Sequence, residues 1–172
     1  KRMHSARVAP TTGTFNALIA CCSTLGDTTQ AAHWLREMRH AHLHPDLISY
    51  NSAMQSCGRQ SNWQQAIEWF SQMSKNKQRT LTPDATSFSA VIISCGKGCD
   101  SERATLWLEQ MLKLALKVSA REYSEVITSW AASAGAVRAL DWLERKRRHN
   151  FEVDELELSA VQRACVRGGL PQ

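Results

Sequence analysis

Phe15-Asn16-Ala17-Leu18-Ile19, then Ala31 through Met38, then Pro45-Asp46: this wording decides the fold, because the chain says it again. Tyr50-Asn51-Ser52-Ala53-Met54 stands 35 residues after the first stretch, Phe88 follows Tyr50 by 38, and Tyr123 follows Phe88 by 35. Ala31, Ala66, Ala104 and Ala139 keep those steps, and so do Trp34, Trp69, Trp107 and Trp142. Met3, Met38, Met73 and Met111 form a further column, and Pro10, Pro45 and Pro83 mark the junctions. Self-similarity at a fixed period of this size is the signature of a stacked-repeat protein.

Within one unit the apolar residues have helical spacing. Phe15, Leu18, Ile19 and Cys22 fall at i, i+3, i+4 and i+7, and Ala31, Trp34, Leu35 and Met38 repeat that stripe. Gly26-Asp27-Thr28 between them supplies a stop and a restart. Pro45 cannot continue a helix and pushes His44 toward extended geometry. Two helices per unit are therefore expected, and no segment alternates as a strand would. The repeats run 12–46, 47–84, 85–119 and 120–154, with 1–11 closing a truncated unit and 155–172 opening a partial fifth. The predicted fold is all-α, an α-solenoid of stacked helical hairpins with a continuous core in place of a central one.

The second unit has three extra residues within 75–82, where Lys75, Lys77 and Arg79 make a basic insertion, read as a solvated extension or a contact to an acidic partner. Lys1 lacks an initiator Met before it and residues 1–11 read as the tail of a repeat, so a portion of a longer protein is expected, with any targeting segment outside it. No run of about 18 apolar residues is present, so no membrane-spanning helix is expected. The net charge is +5; residues 1–117 hold 13 Lys/Arg against 8 Asp/Glu, and the remainder is balanced at 8 and 8. A positive first two-thirds suits phosphate neutralisation.

The columns also dispose of tempting alternatives. Cys22, Cys57, Cys95 and Cys165 share one slot with Trp130, which marks an apolar packing position for reduced thiols and not a zinc or disulfide framework. The Trp column lies on the buried stripe of the second helix, so it reads as core. Trp63 can pack between units. Arg145-Lys146-Arg147-Arg148 ends a second helix, where cations suit the helix dipole, although Lys146 replaces the Met of its column and is expected to loosen packing. No metal site, cofactor or catalytic constellation is expected.

A helical hairpin of 35 residues with Phe/Tyr-Asn in the first helix, Ala and Met in the second and Pro-Asp at the close resembles the pentatricopeptide repeat family. The resemblance implies a right-handed α-solenoid whose first helices line a groove for single-stranded RNA, one base per repeat, read by the fifth and last residues of each unit. The implied base-binding pairs are Asn16 with Asp46, Asn51 with Asp84, Ser89 with Ser119, and Ser124 with Asp154; Ser159 has no partner. The first two pairs resemble the uracil-preferring combination and the fourth the guanine-preferring one, giving U-U-any-G. The base-sandwiching residues implied are Ile48, Thr86, Arg121 and Leu156, with Gly13 departing from the pattern. Eleven residues at about 100° each return to within roughly 20° of the start. Arg59 therefore shares a face with Ile48, Lys97 with Thr86, and Arg167 with Leu156, as phosphate-binding candidates.

The aspartates after proline are equally well read as helix caps. The family's usual setting implies a plastid or a mitochondrion. The competing reading is a scaffold subunit of a large organellar assembly, such as a ribosome, held by protein or structured-RNA contacts.

Overall fold

The structure, a computed structural model, describes residues 10–75, 81–133 and 135–168. Most of the truncated leading unit (1–9), the centre of the basic insertion (76–80) and the last four residues lie outside the described residues.

Among the described residues there are nine helices and no strand. They are α1 (Thr12–Leu25), α2 (Thr28–His40), α3 (Leu47–Gln60), α4 (Trp63–Lys75), α5 (Ala85–Lys97), α6 (Ser101–Lys113), α7 (Ala120–Ala132), α8 (Ala136–Arg148) and α9 (Glu155–Arg167). The odd-numbered helices are the first helices of successive units and the even-numbered ones the second.

Each first helix starts the same way. Thr11, Asp46, Asp84, Ser119 and Asp154 are N-caps with extended backbone, each joined in a capping box to the residue three further on: Thr14, Ser49, Ser87, Glu122 or Glu157. The α1–α2 turn needs glycine: Gly26 has φ 75°, and a Cβ there would lie 2.7 Å from the Arg59 Cβ.

The first helices stack directly, α1 on α3, α3 on α5, α5 on α7 and α7 on α9. Every second helix packs on the first helix of its own unit and, up to α8, on that of the next. Among the described residues the second helices meet one another only through long side chains, as where the Arg39 guanidinium on α2 donates to Gln72 Oε1 on α4 at 3.1 Å. Gly96 lets α5 and α7 approach, since a Cβ on it would sit 3.0 Å from the Glu125 carbonyl oxygen.

The core follows the columns. Ala31, Ala66, Ala104 and Ala139 are fully buried, as are Met38, Met73 and Met111. Cys22, Cys57, Cys95, Cys165 and Trp130 fill their common slot as buried side chains. Burial pushes the Cys57 and Cys95 thiols up to about 12, with Asp100 adding to the effect at Cys95. Trp69 and Trp142 are buried, and Trp34 and Trp107 pack partly buried on the same core. Trp63 opens α4 and carries the Arg103 guanidinium 4.1 Å above its ring.

Lys146 corrects an expectation. It does not loosen the packing: its ammonium donates to both Glu157 oxygens at 2.6 and 2.7 Å and to Ser124 Oγ at 3.1 Å, and both Lys146 and Glu157 are 1% exposed. Glu157 holds the place of Ser49 and Ser87, so at this junction the Met column and the Ser column have both changed. At the first junction that contact is Ser49 Oγ against the Met38 sulfur, 3.7 Å apart.

Candidate functional site

The stacking of α1, α3, α5 and α7 brings the fifth residues Asn16, Asn51, Ser89 and Ser124 into a row, each directed at the junction that starts the next unit. At the first junction Asn16 Nδ2 donates to both Asp46 carboxylate oxygens at 3.2 Å. Asp46 Oδ1 also accepts the Ser49 backbone N–H at 2.8 Å, and the Ser49 hydroxyl lies within hydrogen-bonding reach of Asn16 Oδ1. The second junction repeats this: Asn51 Nδ2 donates to Asp84 Oδ1 at 3.1 Å, the Ser87 N–H to the same oxygen at 2.9 Å, and the Ser87 hydroxyl to Asn51 Oδ1 at 2.7 Å. Burial alone would raise both aspartates. The backbone N–H, the serine hydroxyl and the asparagine amide outweigh it, and both carboxyls lie below the usual range.

The third junction differs. Ser89 and Ser119 do not meet each other; both hydroxyls donate to Glu122, Ser119 to Oε2 at 2.6 Å and Ser89 to Oε1. Glu122 Oε2 also accepts the Ser119 backbone N–H at 2.8 Å. Its burial would raise the carboxyl, but these hydroxyls and the N–H hold it below the ordinary glutamate value. At the fourth junction Ser124 has no bond to Asp154. It accepts from Lys146 and donates to the Ala120 carbonyl at 2.9 Å, while Asp154 caps α9 through the Glu157 N–H at 2.8 Å.

Glu122, Glu157, Lys146, Ser49 and Ser87 are thus part of the site although the sequence reading had not singled them out for it. The spacing of a cap followed three residues later by Ser or Glu was the available signal.

Around this row the expected contact residues are exposed. Ile48 is 62% and Leu156 77% exposed, large apolar side chains left open to solvent, and Thr86, Arg121 and Gly13 are exposed as well. A groove of about 680 Å³ over the middle repeats is lined by Arg59, Thr86, Ser89, Lys97, Arg121 and Glu122, with Lys117 at its edge. Five candidate residues therefore share one cavity: the phosphate-binding candidates Arg59 and Lys97, and the sandwiching candidates Thr86 and Arg121 beside Ser89. Arg167 is placed differently: its guanidinium donates to the Ala131 carbonyl at 2.7 Å, at the end of α7. Among the described residues no group of three His, Cys, Asp or Glu could hold a metal ion, and no helix is long and apolar enough to cross a membrane.

The fold has solved counterparts. The maize pentatricopeptide repeat protein PPR10 superposes with a TM-score of 0.79 at 22% identity, covering 96% of this chain and 23% of the maize protein. The Arabidopsis thaliana nuclear proteinaceous RNase P 2 gives 0.76 at 15% identity over 95% of this chain and 36% of its own. The PPR domain of the A. thaliana protein-only RNase P 1, solved in complex with tRNA, gives 0.74 at 19% over 88% and 78%. This chain therefore spans about a quarter of the maize protein it matches. No curated protein matches the sequence. The pentatricopeptide repeat domain pattern matches residues 33–98, and the PPR repeat pattern matches 13–43 and 86–115. With a helical hairpin recurring at 35 to 38 residues, stacked first helices and these matches, the chain belongs to the pentatricopeptide repeat family.

Proposed function

We propose that this chain is a segment of a single-stranded RNA-binding array in which each repeat addresses one base. The observation that carries the reading is the duplicated amide–carboxylate pair, Asn16 with Asp46 and Asn51 with Asp84, one repeat apart along the stacked first helices. Capping alone does not call for the asparagines, because each aspartate already accepts the N–H three residues on. An amide nitrogen bears two protons, and a carboxylate on one side satisfies one, leaving polar capacity for a base edge. Exposed base edges are what a single strand offers. The cations Arg59 and Lys97 along the neighbouring groove suit its phosphates, and exposed Ile48, Leu156 and the Arg121 guanidinium suit the faces of its bases.

Two similar structures were solved with RNA: maize PPR10 with an 18-nt psaJ element, and the RNase P 1 domain with tRNA. The reading carried over is U-U-any-G, 5′ to 3′, without catalysis by this segment, in a plastid or a mitochondrion. The nuclear RNase P 2 has a similar solenoid, so location needs its own measurement, by imaging a fluorescent fusion of the full-length protein.

Fluorescence anisotropy with short unstructured RNAs tests the function. A U-U-any-G core is expected to bind tighter than its scrambled forms, and Asn51→Ala to cost about tenfold, the loss of one or two hydrogen bonds. Equal affinity for every sequence, with Asn51→Ala silent, refutes it. Exposed Leu106 and Val137 on the second helices favour the scaffold reading, which predicts sequence-indifferent binding and co-purification in a fixed particle.

A further inference from the structure

The geometry points to Glu122, three residues beyond the expected Ser119, as the group that completes the third base slot, and to a base bearing an exocyclic amino group, in preference to uracil, as what that slot takes. This rests on the RNA-binding reading above.

In the first two junctions the cap supplies the carboxylate and the third helical residue a hydroxyl, as in Asp46 with Ser49 and Asp84 with Ser87. In the third junction the two have changed places: the cap is Ser119 and the carboxylate is Glu122. The junction therefore keeps one carboxylate and one capping hydroxyl, and the fifth residue still donates to the carboxylate, Ser89 to Glu122 as Asn16 to Asp46. Glu122 and Ser89 line the same groove as Arg59, Lys97 and Arg121, so the exchange happens where a strand would lie.

The protons decide what the slot can recognise. A hydroxyl has one proton to give. That of Ser89 goes to Glu122 Oε1 and that of Ser119 to Oε2. The carboxylate, held ionised by those same bonds, has none. Ser89, Ser119 and Glu122 together thus present oxygen lone pairs and have no N–H or O–H of their own left to give. The first two slots differ, because each contains an asparagine amide with a donor. Uracil shows two carbonyl acceptors flanking a single N–H, whereas cytosine, adenine and guanine each carry an amino group with two N–H bonds. An acceptor-only pocket leaves a uracil carbonyl facing lone pairs and unsatisfied, a mismatch worth about one hydrogen bond, or roughly three- to tenfold in affinity.

The test measures binding of the full chain to RNAs that vary only at the base facing the third repeat, with the first two positions varied separately as internal controls. Wild type is expected to bind the three amino-bearing bases about three- to tenfold tighter than uracil at that position. Ser89→Asn puts an amide beside the existing carboxylate, as in the first two slots, and leaves the cap Ser119 and buried Glu122 untouched; it is expected to move the preference toward uracil. Glu122→Gln keeps one acceptor oxygen and turns the other into an N–H₂ donor, and is expected to flatten discrimination there alone. The inference is overturned if wild type discriminates at the first two positions but accepts uracil equally at the third. It is also overturned if Ser89→Asn leaves the third-position preference unchanged while the first two positions are still read. Loss of discrimination at every position in wild type would instead remove the base-reading function, and this slot assignment with it.

Discussion

Replacing Lys146 by Met, the residue of its column, should destabilise the chain severely even though it looks like a return to consensus. The ammonium sits 2.6 and 2.7 Å from the two Glu157 oxygens with both side chains 1% exposed. Removing it leaves a carboxylate buried beside a thioether, and breaking one half of such a pair costs about 3–5 kcal/mol. The double variant Lys146→Met with Glu157→Ser rebuilds the contact seen between Met38 and Ser49, where the serine hydroxyl also accepts the Asp46 backbone N–H at 3.1 Å. It should recover to within about 1 kcal/mol of wild type, because replacing a buried ion pair by a packed neutral one is often neutral or stabilising. Urea denaturation of the four members of the cycle, followed by circular dichroism, gives the coupling energy directly. In a stacked array the loss should concentrate at the end, so hydrogen exchange in α8 and α9 should accelerate most. A single variant costing under about 1 kcal/mol, or a double variant no better than the single, would refute the reasoning, since either result means the charges are not confined together.

Three other outcomes are expected. Asp46, Asp84 and Glu122 are held below their ordinary values, so the stability they supply is present at neutral pH and is lost as acidification passes through and below about pH 4; urea midpoints should fall over that window and not between pH 8 and 6. Arg59→Ala and Lys97→Ala should each reduce the slope of log affinity against log salt by about 0.7 without changing base preference, measured by anisotropy over a salt series. Of the six thiols, exposed Cys21 and Cys99 should react with a thiol reagent in the native protein, and buried Cys22, Cys57, Cys95 and Cys165 only after denaturation.

The architecture was legible because it is written in columns. A residue that recurs at a fixed step as Ala, Met or Cys announces a buried slot whatever its neighbours, and the stacked helices put each such residue in the core. The row from Asn16 to Ser124 was legible for the same reason. What escaped was chemistry running between columns. Lys146 read alone is a cation in a Met slot, and Glu157 read alone is a capping acid. Only the eleven-residue reach from the end of one hairpin to the start of the next makes them a pair. Glu122 escaped likewise, since nothing in the Ser89 and Ser119 columns shows that a longer acid three residues on would collect both their protons.

The atom proposed to face a nucleotide is also the atom that launches a helix. Asp46 Oδ1 receives the Ser49 amide proton as well as the Asn16 side chain, so rewriting that letter interrupts the start of α3. Only the short list of residues suited to begin a helix, Asp, Asn, Ser, Thr and Gly, is open to it, and a residue such as Ala forfeits about 1 kcal/mol of fold. The vocabulary at this place is therefore bounded by folding before any message is considered, and the third junction shows one way around the bound: keep an initiating serine and move the acid a turn downstream.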